Sequence, residues 1–151
     1  NRLFYGDLTR LDLLRSAGIK HAKILVVAVN DVEQSLAIID LARAQNSRIK
    51  IIVRALHRFH AYELHRRKVD SIVRETFASS LEAATETLEQ LGYTEGQALE
   101  VAKRFRMHDE DLLERSAEHM EDADELRKIA KNGRRELELL FEEDTRTKVG
   151  D

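Results

Sequence analysis

The sequence predicts an α/β protein, in which a parallel-sheet, Rossmann-like domain is followed by an α-helical arm. Two observations carry this expectation. Up to Arg74, short β-branched runs alternate with segments of helical period, the grammar of βαβ units with right-handed crossovers. Beyond Arg74 no strand pattern recurs, and apolar residues follow helical spacing to the end. The boundary therefore falls at 75/76, dividing residues 1–75 from residues 76–151.

Taken in order, Leu3-Phe4-Tyr5 is a short apolar run ended by Gly6 and reads as the end of a strand. Asp7 or Thr9 is placed to cap a helix on which Leu8, Leu11 and Leu14 recur, with Gly18 as its stop. Lys23–Val29 is continuous and β-branched, as expected of a strand buried on both faces. Asn30 and Asp31 form a turn and N-cap, and Val32, Leu36, Ile39 and Ala42 trace the next helix to Asn46-Ser47. Ile49–Val53 is another strand, residues 58–67 another helix, and Val69–Val73 a last short strand. Thr76 is placed to cap a helix whose inward stripe is Phe77, Leu81, Ala84, Leu88 and Leu91, broken near Gly92. A short helix over Thr94–Arg106 and a break near His108–Asp109 are expected next. The arm from Asp109 carries Leu113, Ala117, Met120, Leu126, Ile129, Ala130, Leu137, Leu140 and Phe141, with Gly133 as a weak point. Its narrow stripe needs cover, from a second subunit or from the sheet domain.

Four strands, each followed by a helix, make up half to two-thirds of a doubly wound sheet. No G-x-G-x-x-G turn occurs, and the flank of the central strand would lie bare. The first βαβ unit is accordingly expected upstream of the residues given.

Composition narrows the function. The chain has 151 residues, 42% hydrophobic and 35% charged, which supports a core and excludes disorder as the main state. The longest apolar run, Ile24–Val29, is too short to span a bilayer. Without cysteine there is no disulfide, thiolate ligand or thiol nucleophile. The net charge of −3 hides an asymmetry: residues 1–75 carry 14 Lys/Arg against 8 Asp/Glu, and residues 76–151 carry 11 against 20. A basic front half suits an anionic ligand.

Open α/β sheets bind ligands at the carboxyl ends of their strands. Here those ends carry Tyr5-Gly6-Asp7, Ala28-Val29-Asn30-Asp31, Arg54-Ala55 and Arg74-Glu75. Asn30 offers both donor and acceptor, and the arginines can grip carboxylate or phosphate. Taken singly, Asp7 and Asp31 read as N-caps and Arg74 as the partner of Glu75 or of a neighbouring acid; clustering at successive strand ends favours a shared crevice. His57, His60 and His65 are spaced by three and five with arginines between, which suits surface or capping histidines better than a metal site. No nucleophile-elbow serine or apolar-flanked carboxylate pair points to catalysis. A modest basic excess with 5% aromatics argues against nucleic acid.

The run F-Y-G-D-x-T-R-x-D-L-L at Phe4–Leu14 resembles the central motif of the regulatory K⁺-conductance (RCK, or KTN) domains, also called TrkA-N-like. R-E-T-F at Arg74–Phe77 and L-E-x-L-G at Leu88–Gly92 are similar to the Kef-type potassium efflux systems, glutathione-regulated K⁺/H⁺ antiporters of bacterial inner membranes. The resemblance runs from about Phe4 to Asp109, and the arm beyond matches only in character. It implies a cytoplasmic, non-enzymatic regulatory domain that binds AMP or NAD(H), with Asp7 and Leu8 at the adenosine end and Ala28, Val29 and Asn30 along the nucleotide. Arg54 lies at the next strand end. It also implies a homodimer with Phe77, Leu81, Leu88 and Leu91 in packing or dimer contact, an upstream antiporter domain on the same polypeptide, and an ancillary cytoplasmic subunit. Arg74 falls at the position that meets glutathione, and Asp109 at the position of the family's second contact, an asparagine. A carboxylate there removes a donor and repels an acidic tripeptide, which counts against glutathione. The alternatives are the same module on a K⁺ channel or uptake system, and a fragment of a nicotinamide-dependent oxidoreductase.

Overall fold

The structure, a computed structural model, describes residues 6–148 and divides into two compact units, Asn1–Glu75 and Thr76–Asp151. The strand expected at Leu3–Tyr5 lies outside the described residues.

The first unit runs α1 (Leu11–Ser16), a 3₁₀ turn, β1 (Ile24–Val27), α2 (Val32–Gln45), β2 (Lys50–Ala55), α3 (Arg58–Arg66) and β3 (Ser71–Arg74). The strands form one parallel sheet in the order β1-β2-β3, with Val27 opposite Val53 and Ala55 opposite Arg74. Strand period two sends Val27, Ile51, Val53 and Ala55 to one face, each at most 3% exposed, where the buried Ile38, Ile39 and Ala42 of α2 and Ala61 and Leu64 of α3 complete the core. The opposite face holds Ile24, Val26 and Val73, more than half exposed. The expectation of a β1 buried on both faces is therefore corrected. A continuous β-branched run reports strand propensity on both sides of the pleat, whereas burial depends on which helices the sheet receives, and both α2 and α3 lie against one face.

Local signals set the element ends. Asp31 Oδ1 accepts the Gln34 N–H at 2.7 Å, the expected N-cap of α2. Asp7 and Thr9 do not cap α1, whose N-cap is Arg10 without a side-chain bond. Instead Asp7 Oδ1 accepts both the N–H and the hydroxyl of Thr9, at 2.8 and 2.7 Å, closing an Asx turn.

The second unit is helical: α4 (Phe77–Gln90), α5 (Glu95–Glu118) and α6 (Ala123–Lys148). The Thr76 side chain does not cap α4; its carbonyl accepts from the hydroxyls of Ser79 and Ser80. Gly92 ends that helix at φ +92°, a left-handed conformation that suits glycine. Thr94 and Gln97 form a reciprocal capping box at the start of α5. The break expected at His108–Asp109 is absent, and α5 continues unbroken to Glu118. Charge density alone does not stop a helix: no Gly or Pro stands there, and the buried Leu113 and Ala117 extend the stripe.

Gly133 is not a weak point either, since α6 runs through it. A Cβ at that position would come within 2.6 Å of Leu112 Cδ1, so the glycine marks a close approach of α6 to α5. Part of the α6 stripe lies covered on α5, with Ile129 9% exposed and Leu126 and Leu137 half-buried, while Ala130 and Phe141 stay exposed. The side chain of Leu140, named for that stripe, lies outside the described residues. Gly133→Ala should leave stability nearly unchanged, because the gain in helix propensity, about 1 kcal/mol, is offset by displacing Leu112. In a Leu112→Ala background the same change should stabilise by about 1 kcal/mol in urea denaturation. Equal effects in the two backgrounds would remove the close-approach argument. Among the described residues no helix is long and apolar enough to cross a membrane.

Candidate functional site

Parallel pairing puts the carboxyl ends of β1, β2 and β3 along one edge, and the chain leaves each end into a helix. The N-termini of α2 and α3 follow β1 and β2 within a few residues, so two positive dipole ends lie at this edge.

One guanidinium ties the edge together. Arg54 Nη2 donates to the Ala28 carbonyl at 2.9 Å and to Asn30 Oδ1, while Nη1 donates to Glu75 Oε1 at 3.3 Å. Four sequence-separated residues from three strand ends thus converge, among them Ala28, Asn30 and Arg54 from the sequence reading. Glu75, which adjacency in sequence offers to Arg74, bonds Arg54. The register explains it: Arg54 lies opposite Val73, and period two carries Glu75 to the same face while Arg74 faces away with Ala55. Asn30 is exposed, Val29 half-buried and Leu8 exposed at the surface. Asp7 is exposed too, and the Thr9 hydroxyl, followed by the Thr9 N–H, holds its carboxyl below the usual carboxylate range. Its Oδ2 takes part in neither bond.

Histidines build the start of α3. His57 is its N-cap, its Nδ1 accepting the His60 N–H at 3.2 Å, and His60 Nδ1 accepts the Leu56 N–H at 3.3 Å. The first bond is an N-cap made by an imidazole, and the second holds the N–H of the residue just before that cap. The capping expectation holds for His57, whereas His60 is wholly buried and not a surface residue. Nothing in its sequence spacing distinguished it from His57 and His65.

In the second unit, Phe77, Leu81 and Leu88 of α4 face Val101 and Phe105 of α5 and Phe141 of α6 around an apolar groove of about 550 Å³. The Phe77 and Phe105 rings stack at 6.4 Å, and the Arg106 guanidinium lies 5.5 Å from the centre of the Phe77 ring. Three of the four residues assigned to packing or dimer contact therefore line one groove. Leu91, the fourth, is 72% exposed outside it. Asp109 lies mid-helix in α5 at 9% exposure, and Arg74 ends β3 in the first unit.

Family models match both units: the TrkA-N domain over residues 2–75, and the potassium efflux system KefB C-terminal domain over residues 79–150. A solved structure described as the Kef CTD of Shewanella denitrificans in AMP-bound form is 39% identical, with a TM-score of 0.75, covering 78% of this chain and 74% of that one. The chain belongs to the Kef C-terminal domain family. Identity at that level over that much of both chains shows more than a shared fold. For a Kef C-terminal domain, the clamp at Arg54 occupies the edge where doubly wound sheets take their ligands, and the family is one of regulatory domains in potassium efflux.

Proposed function

We propose that this chain is the ligand-sensing regulatory domain of a bacterial K⁺/H⁺ antiporter and binds an adenine nucleotide, AMP or NAD(H), at the carboxyl edge of its sheet. The observation that carries this is the likeness to a Kef domain solved with AMP. The converging groups at the edge support it: Asp7 with one carboxylate oxygen outside the Asx turn, Leu8 beside it, the Ala28–Asn30 segment, and Arg54. The chemistry required is binding, not bond-making. A ligand that prefers one arrangement of a homodimer biases the attached membrane domain by that preference. In this reading the groove around Phe77, Leu81 and Leu88 belongs to the helical packing that pairs two copies, and the domain works at the cytoplasmic face of the inner membrane. Arg74 and Asp109 stand at the glutathione-equivalent positions, where the carboxylate of Asp109 disfavours that peptide. An ancillary cytoplasmic subunit is a further partner of this assignment. The match of the KefB C-terminal model to the helical unit favours an efflux antiporter over a channel or an uptake system. The oxidoreductase alternative would need an acid/base group opposite a nicotinamide and a substrate domain.

Thermal unfolding of the 151-residue chain with AMP, NADH or glutathione tests this. AMP at about a hundred times its Kd should stabilise by about 2.7 kcal/mol, a rise of several degrees, and glutathione should have no effect. Light scattering on the same samples should give a dimer at tens of micromolar (a rough working concentration). No shift with either nucleotide, both in this chain and in one that carries the expected first βαβ unit, would end the reading, and a monomer would end its coupling mechanism.

A further inference from the structure

We infer that Arg54 is a positioning residue that fixes the carboxamide of Asn30, so that Asn30 meets a ligand as a hydrogen-bond donor. The inference rests on the nucleotide reading above and specifies what that edge recognises: an acceptor atom of the adenine nucleotide opposite Asn30.

A guanidinium carries five N–H donors and no acceptor, so whichever end of an amide lies against it must be the oxygen. Arg54 Nη2 makes that contact with Asn30 Oδ1 and holds the Ala28 carbonyl in the same fork at 2.9 Å. Turning the amide over would set its NH₂ against the guanidinium, exchanging a charge-assisted hydrogen bond for a repulsive contact. Glu75 Oε1 braces the other nitrogen of Arg54 at 3.3 Å, so the clamp is anchored at both ends. The Nδ2 of Asn30 makes no hydrogen bond among the described residues, and the residue is exposed where β1 gives way to α2. The donor is thereby left available at the crevice, with its oxygen already engaged. An amide free to rotate would accept ligand donors and acceptors alike; a clamped one selects acceptors.

Asn30→Asp separates donor from shape. The carboxylate keeps the contact with Arg54 and nearly the same volume, but its second oxygen accepts where Nδ2 donated. AMP affinity should fall about tenfold or more. Arg54→Ala should cost about threefold by freeing the amide, with Arg54→Lys recovering part of the loss. In the Asn30→Asp background, Arg54→Ala should add little, because there is no amide left to orient. Full additivity would overturn the inference and make Arg54 a direct ligand contact; wild-type affinity for Asn30→Asp would overturn it as well. The clamp is also read without nucleotide. In ¹⁵N NMR spectra of the unliganded chain, the side-chain NH₂ pair of Asn30 should move and change linewidth on Arg54→Ala. An unchanged pair overturns the clamp whether or not AMP binds, whereas a moved pair with no AMP binding to wild type leaves the clamp standing and removes the nucleotide reading.

Discussion

Leu64→Ala should destabilise the sheet-bearing unit by roughly 2–5 kcal/mol. Leu64 is fully buried on the inner side of α3, one turn from the equally buried Ala61, where the helix lies over β2 and β3. Removing three carbons there loses their transfer free energy and leaves a cavity between a helix and a sheet that cannot close without moving the helix. Stabilities of single domains are about 5–15 kcal/mol, so the loss is a large part of the total. The effect reaches the ligand edge, because the first turn of α3 follows directly on the β2 end that carries Arg54. Urea denaturation should show a lower midpoint with an unchanged slope. Leu91→Ala, at a residue 72% exposed, is the control and should stay within about 0.5 kcal/mol of wild type. Equal midpoints for the two variants would mean that α3 does not pack as described.

The same contrast between local and long-range information explains what the amino-acid pattern revealed. Strand–helix alternation is a local signal, and it located β1, α2, β2, α3 and β3 to within a few residues. The parallel topology followed, since connections containing a helix leave little else. Burial of β1 did not follow, because β-branching at Ile24 and Val26 carries no record of which face receives helices. The Arg54–Glu75 pair was missed for a related reason. Adjacency in sequence pointed only to neighbours of Arg74, whereas pleat parity and the β2–β3 register bring Glu75 to Arg54, and register is a property of the folded sheet. Gly133 misled in the opposite direction. Helix propensity treats it as a defect, whereas its contact with Leu112 makes the missing side chain the reason for its presence. The strand ends along this edge were legible; the hydrogen bonds among their groups were not.

Acid should destabilise the first unit through His60, and the sign follows from its surroundings. The ring is wholly buried, and its Nδ1 accepts the Leu56 N–H, so the neutral form carries its proton on Nε2. That Nε2 finds no hydrogen-bond partner among the described residues. Burial is the main cause that lowers the His60 pKa below the ordinary 6.5; His57 and Arg67 lower it further, and Glu63 opposes them. A proton on Nδ1 would also break the acceptor bond at the N-terminus of α3 and add positive charge to a positive dipole end. The native state therefore binds fewer protons than the unfolded chain. Above the unfolded value both states are neutral and stability is unaffected; as pH falls through about 6.5 the unfolded chain takes up the proton first. Stability should drop with a slope approaching about 1.4 kcal/mol per pH unit, flattening once the native ring protonates. His60→Asn keeps an acceptor for the Leu56 N–H and removes the titration. Its absolute stability will be lower, since a smaller side chain replaces a buried ring, so the comparison is of slopes in urea denaturation between about pH 7.5 and 5. Wild type should lose stability across that interval faster than the variant. Parallel curves would mean that His60 does not resist protonation in the folded protein, and the imidazole cap of α3 would then be a structural feature without acid sensitivity.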